Sequence, residues 1–194
     1  MPSNNDYYNL HARKFFDATV SVDMSALYAA FLAKLPRGAA ILDAGCGSGR
    51  DAKAFVDRGY AVTAFDASPE LAKLASALCG FEVATRGFRD VREVAAYDGI
   101  WCCASLLHVS PGDMGVVLGT LWRALRSGGC FYLSFKCGSG ERERAGRVFT
   151  DADEATVRGW LEGLPGAHGA EVWETQDSRP ERTDRWLNVL VSKK

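Results

Sequence analysis

The stretch Ile41-Leu42-Asp43-Ala44-Gly45-Cys46-Gly47-Ser48-Gly49 decides the fold. The apolar run Ala39 to Ala44 is too short for a helix and lies between Gly38 and Gly45, so it reads as a buried strand. A glycine-rich turn directly after a strand lets backbone approach a ligand at the mouth of a sheet. The dinucleotide fingerprint Gly-x-Gly-x-x-Gly would need glycine at position 50, where Arg50 stands. Asp43, at the strand end, would repel a pyrophosphate and favour a cationic, phosphate-free nucleoside. It would attract such a ligand's amino group directly, through water, or by orienting loop amides.

Outward from this turn, strands and helices alternate. A helix is expected from about Arg50 to Arg58, ended by Gly59, and a second strand from Tyr60 to Phe65, closed by Asp66. Asp66 stands where a carboxylate accepts both hydroxyls of an adenosine ribose; the competing reading is a turn acid beside Ser68-Pro69. Ser68 and Pro69 start a helix through Leu71, Leu74, Ala75 and Leu78. Phe81 to Thr85 and Gly99 to Ala104 read as the third and fourth strands. Pro111 opens a helical segment carrying Val116, Val117, Leu121 and Leu125, broken by Gly128-Gly129 before a fifth strand, Cys130 to Phe135. This alternation predicts a parallel sheet covered on both faces. The tail differs. A helix is expected within Asp151 to Leu164, then strands Glu171 to Thr175 and Trp186 to Val191 with only the polar run Asp177 to Asp184 between them, which predicts an antiparallel pair. Upstream, Asp6 to Thr19 reads as one helical arm with Tyr7, Leu10, Lys14 and Phe15 at helical spacing. Asp23 reads as the N-cap of a helix carrying Met24, Leu27, Tyr28, Phe31 and Leu35, stopped by Pro36-Arg37-Gly38.

These motifs resemble the class I S-adenosylmethionine (SAM)-dependent methyltransferases. Residues 41–49 look like that family's first motif and Val62-Thr63-Ala64-Phe65-Asp66-Ala67-Ser68 its second. Tyr97 to Trp101 followed by Ser105-Leu106-Leu107-His108-Val109 looks like its fourth, and Leu125 to Tyr132 the turn into its fifth strand. Within the family the chain looks similar to small bacterial tellurite-resistance-like enzymes. The resemblance implies a Rossmann-like α/β fold: a seven-stranded, mostly parallel sheet with an antiparallel C-terminal hairpin and helices on both faces. It implies one domain over residues 1–194, with 1–36 a helical cap and 37–194 the core.

Carried over by position, the resemblance implies that Gly45, Cys46 and Gly47 contact the methionine part of SAM, with Arg50 following the loop. Asp66 would bind ribose, with Ala67 and Ser68 beside the adenine. Gly87 and Phe88 would touch adenine, although the family's usual acid is missing at that point and Arg86, Arg89 and Asp90 surround Phe88 instead. Cys103 and Ala104 would lie beneath the cofactor. Tyr8 and Arg13 would close over the amino-acid end, Arg13 on its carboxylate; the alternative is packing and a solvated helix face.

Methyl transfer needs alignment and a dry pocket more than a dedicated base. His108 is the catalytic candidate, weighed against a structural histidine on a loop carbonyl, and His11 is a second one. The segment Lys136 to Arg147 reads as a charged loop whose arginines hold an anionic acceptor or simply face solvent. The resemblance implies a small-molecule acceptor, anionic or metalloid, and S-adenosylhomocysteine as the product. Competing readings are a silent SAM-binding module and an NAD-type oxidoreductase, which Arg50 and the C-terminal hairpin oppose.

Bulk composition sets the outer bounds. The 194 residues are 47 % hydrophobic and 24 % charged with net charge −1, which provides no global drive toward nucleic acid. The polar start Met1 to Asp6 does not read as a signal peptide, and no apolar run reaches bilayer length, so a cytoplasmic monomer or homodimer is expected. Six cysteines without CxxC or zinc spacing read as reduced thiols, and no metal site is expected.

Overall fold

A computed structural model describes residues 4–179 and 181–194. Met1 to Ser3, part of the polar start, and Pro180, in the run between the last two strands, lie outside the described residues. Strands β1 (Ala40–Ala44), β2 (Ala61–Asp66), β3 (Ala84–Thr85), β4 (Tyr97–Cys102), β5 (Leu125–Lys136), β8 (Ala167–Gln176) and β9 (Arg185–Lys193) form one sheet. Between β5 and β8, β6 (Gly140–Arg144) and β7 (Arg147–Asp151) form a separate antiparallel hairpin. The sheet order is β3-β2-β1-β4-β5-β9-β8; the first five strands are parallel and β9 is antiparallel to both neighbours. The expected Rossmann-like sheet with its C-terminal hairpin is what the chain forms.

The helices are α1 (Asn4–Leu10), α2 (Ala12–Thr19), α3 (Ser25–Leu32), α4 (Arg50–Val56), α5 (Pro69–Cys79), α6 (Pro111–Ala124) and α7 (Glu154–Glu162). Alternation along β4 and β5 divides the core. Ile100, Cys102, Phe131, Leu133 and Phe135 pack with α6 and α7 on one face. Trp101, Cys130 and Tyr132 pack on the other with Tyr28 and Phe31 of α3 and Phe55 of α4. Successive strand side chains point to opposite faces, so Cys102 and Cys103 separate in the same way. The described cysteines are all unpaired.

Side-chain caps fix where helices start. Ser68 accepts from Leu71 N at 3.2 Å, and Asp153 from Thr156 N at 2.8 Å, each worth about 1 kcal/mol. Pro69 and Pro111 occupy the first turns of α5 and α6.

Four local expectations need correction. The arm is two helices, because His11 leaves helical geometry between α1 and α2. Met24, not Asp23, is the α3 N-cap; Asp23 instead accepts from Ser25 N at 2.8 Å. The third strand shrinks to two residues at the sheet edge. The segment Lys136 to Arg147 is not a loop: it enters the β6–β7 hairpin. Among the described residues no helix is long and apolar enough to cross a membrane.

Candidate functional site

The turn after β1 follows from its glycines. Gly45, Gly47 and Gly49 have φ of 74°, 56° and 77°, a region other residues adopt at a cost. A Cβ on Gly45 would lie 2.7 Å from Ser105 Cβ, and one on Gly47 would lie 3.0 Å from the Phe15 ring. Bare backbone is therefore required here by packing as well as by dihedral.

Asp66, at the end of β2, faces this turn. One carboxylate oxygen accepts from Gly47 N at 2.8 Å and the other from Ser68 N at 2.9 Å. Ser68 is the α5 N-cap and also donates to Asn9 Oδ1 of α1 at 2.6 Å. The arm thus reaches the edge of the sheet where β2 ends. Phe88, in a short 3-10 turn after β3, packs edge-on to Phe65 and stands 3.3 Å from where a Gly45 Cβ would be. Gly87 N donates to Asp90 Oδ2 at 2.9 Å. Ala67 is exposed beside this group.

From the turn a cavity of about 260 Å³ runs toward the arm, the β6–β7 hairpin and the β8–β9 connection. Gly45, Cys46, Gly47, Arg50, Cys103, Ala104, His108 and Tyr8 all line it, so most predicted residues converge. Asp66, Ala67, Ser68, Gly87 and Phe88 stand on the outer side of the turn instead.

Arg13 does not reach the site. Its guanidinium is exposed, pairs with Asp17 at 3.0 Å and covers the Phe16 ring. The break at His11 turns Tyr7, Tyr8, His11, Lys14 and Phe15 inward, so Lys14 is the cation on the wall.

Asp43 also departs from expectation. It is buried away from the cavity wall, and its Oδ2 has no hydrogen-bond partner among the described residues. Burial, and then the neighbouring Asp51 charge, push its carboxyl well above the ordinary range. Asp43 therefore lies beneath the turn, with its ionised form disfavoured by burial, and does not line the cavity. The ionised carboxylate is Asp51, one residue past Arg50. It accepts from Arg50 Nε at 2.6 Å and Nη2 at 3.0 Å, from Trp101 Nε1 at 2.9 Å, and from the Tyr28 hydroxyl. Burial works against this charge, but Arg50, Tyr28 and Trp101 outweigh it and hold Asp51 below the ordinary carboxylate range. The sequence reading missed Asp51; its position in the first turn of the helix after the loop was the available signal.

His108 sits where the fourth motif predicts, with both ring nitrogens engaged. Tyr8 Oη lies 2.8 Å from Nε2, and the Val148 carbonyl lies 3.1 Å from Nδ1. A proton on Nδ1 satisfies both contacts, Nδ1–H donating to Val148 and Nε2 accepting from Tyr8. Asn4 adds reciprocal bonds to Val148, accepting from its N at 2.8 Å and donating to its O at 2.9 Å. His108 is therefore a post that ties the arm to β7, with no free nitrogen for a substrate proton. Burial lowers it to about 4, with Arg147 and Lys136 adding to the effect and the Val148 bond opposing it. An ordinary imidazole in the unfolded chain protonates near pH 6.5, so the unfolded state binds more protons between about pH 4 and 6.5. Stability should rise with pH across that window. Urea midpoints at pH 5 and 7 check this: the difference should shrink in His108→Asn, and an unchanged difference would assign it to other groups.

The cavity floor holds Tyr132, stacked on Trp101 at 3.8 Å, and Asn188, which accepts from the Tyr132 hydroxyl at 2.7 Å. The β8–β9 connection contributes Asp177, Arg179 and Arg182, which the sequence reading took only as a turn.

A family model described as a methyltransferase domain matches residues 41–129, from β1 through the turn into β5. That span holds the glycine turn, Asp66 and His108 within the sheet order just described. Residues 41–129 thus carry the methyltransferase-domain match, on the fold of the class I SAM-dependent methyltransferases. SAM is the methyl donor of this family. Ubiquinone biosynthesis O-methyltransferases of Xanthomonas are similar; that of Xanthomonas axonopodis pv. citri is 35 % identical over 107 residues, 51 % of this chain and 44 % of the relative. The chain thus spans less than half the length of these curated relatives. Among solved structures, a Burkholderia thailandensis 1,6-didemethyltoxoflavin-N1-methyltransferase with bound 1,6-didemethyltoxoflavin and S-adenosylhomocysteine matches with a TM-score of 0.75. Identity is 25 %, covering 100 % of this chain and 91 % of that one. A TehB-like SAM-dependent methyltransferase from Corynebacterium glutamicum shares the fold with a TM-score of 0.68 and 21 % identity, covering 98 % of each chain.

Proposed function

We propose that this methyltransferase moves a methyl group from SAM to a small-molecule acceptor of anionic or metalloid character. One observation carries the reading: Asp66 is fixed by two backbone amides beside a glycine turn that has no room for a Cβ, and the other side of that turn lines a cavity.

The residues present fit the donor. Gly45, Cys46 and Gly47 offer backbone to its amino-acid end, Asp66 offers carboxylate oxygens to a ribose, and Phe88 offers a ring to the base. When bound, SAM supplies a methyl carbon already activated by sulfonium, open to in-line displacement. The chain's own work is binding, orientation and exclusion of water. The N-terminal helices act as a cap on the core, with Tyr8, Phe15 and the Asn4–Val148 bonds closing the roof. Arg50, neutralised by Asp51, stiffens the wall without presenting net charge. With His108 occupied, the acceptor supplies its own nucleophile, as an anion or a soft lone pair.

Thermal shift tests the reading. S-adenosylhomocysteine at about 100 times its Kd should add about 2.7 kcal/mol of stability, several degrees in a domain of this size. NAD should add nothing; a shift with NAD alone rejects the methyltransferase reading.

A further inference from the structure

The acceptor end of the cavity carries an uneven set of charges. Three of its cations are already matched: Arg50 by Asp51, Arg179 by Asp177 at 2.6 Å, and Lys136 by Asp184 at 2.9 Å. Lys14 and Arg182, also on the wall, are exposed, whereas Arg147 is half-buried. Among the described residues Arg147 has no carboxylate partner, and its one side-chain hydrogen bond is donated by Nη1 to the Tyr8 hydroxyl at 3.2 Å. Its Nε is buried with no partner. A buried donor left unpaired is costly, and the remainder of this half-buried guanidinium faces the cavity.

Rings hold this guanidinium in place. Its carbon lies 4.6 Å from the Tyr7 ring centroid, 5.7 Å from Tyr8 and 5.1 Å from Phe149. Flat aromatic walls with one fixed, planar, donor-only cation select a flat molecule with an acidic oxygen. Arg147 starts β7, and the Tyr8–His108 contact fixes the ring beside it, so the donor is held before any ligand arrives.

We propose that Arg147 is the specificity-determining residue for the acceptor, which is a planar aromatic molecule anchored through an acidic oxygen on the half-buried guanidinium. The inference rests on the methyltransferase reading and narrows its acceptor to an organic aromatic acid. The anchoring oxygen is the handle for recognition; it is not assigned as the methylated atom.

The test uses the full chain loaded with S-adenosylhomocysteine. Probes are benzoate, salicylate and 4-hydroxybenzoate, each beside its neutral amide. The acids should raise Tm above the S-adenosylhomocysteine value and the amides should not. Arg147→Gln should keep the S-adenosylhomocysteine shift and bind the acids about tenfold or more weakly, the loss expected for a charge-assisted hydrogen bond. Arg147→Lys, which keeps charge but loses the planar fork, should fall between the two. It also serves as the deciding variant if Arg147→Gln does not fold: full acid binding in Arg147→Lys overturns the role of the fork. No acid response in the wild type, equal response to acids and amides, or undiminished acid binding in Arg147→Gln overturns the proposal. Each of these leaves the S-adenosylhomocysteine shift, and with it the broader reading, standing; absence of that shift sinks the broader reading instead.

Discussion

Asp66→Ala is expected to erase most of the stabilisation that S-adenosylhomocysteine confers, with the fold retained. Two effects act together. A ribose loses a charged acceptor for its hydroxyls, and hydrogen bonds to charged groups contribute about 1.5–3 kcal/mol each. The turn also loses its brace, because the same carboxylate holds Gly47 N and Ser68 N. Loss of one such bond already weakens binding about tenfold or more. Asp66→Asn separates the two effects. An amide keeps one acceptor oxygen but puts a donor against either Gly47 N or Ser68 N, so it should retain part of the ligand shift. The expected order is wild type, then Asn, then Ala. Denaturation without ligand should show a smaller change, because α5 keeps its Ser68 cap. A ligand shift equal to wild type in Asp66→Ala would place the ribose elsewhere.

Why these residues were legible, and others were not, follows from how each signal arises. Strands β1 and β4 and the Cys130 to Phe135 part of β5 are short apolar runs, so burial on both faces writes them directly into the sequence. Asp66 was visible because its role depends on its position at a strand end. Arg13 was misplaced because one residue, His11, resets the helical phase. Continued from α1, the register keeps Leu10 on the apolar side, whereas Leu10 is 80 % exposed. The β6–β7 hairpin was invisible for a different reason. Glu141, Arg142, Glu143 and Arg144 alternate in charge, and β6 has no apolar face to reveal its period. Asp43 shows the deepest gap. Its residue type and position were right, but its charge depends on Asp51, a neighbour made by folding.

Asp51→Ala is expected to be the most damaging single change to stability. Asp51 is 5 % exposed and receives Arg50, Trp101 and Tyr28 at once. Removing it leaves the Arg50 guanidinium charged and half-enclosed, with a buried indole N–H and a buried hydroxyl unpaired. Breaking a buried pair by deleting one partner typically costs about 3–5 kcal/mol. Asp51→Asn keeps the shape and one acceptor oxygen but cannot neutralise Arg50, so it should recover only part of this. The double variant Arg50→Leu, Asp51→Leu separates charge from packing. Removing both charges takes away the desolvation they impose, so the double change should cost less than Asp51→Ala alone if the orphaned charge dominates. Urea unfolding of the variants reads these differences. The neighbouring carboxyl responds as well: without the Asp51 charge, Asp43 loses its second-largest upward push and should ionise more readily. Folding then takes up less of a proton near that carboxyl, and the fall of stability with rising pH that a raised carboxyl imposes should flatten. A cost below about 1 kcal/mol for Asp51→Ala, within the range of an ordinary surface change, would mean that this cluster does not hold the turn in place.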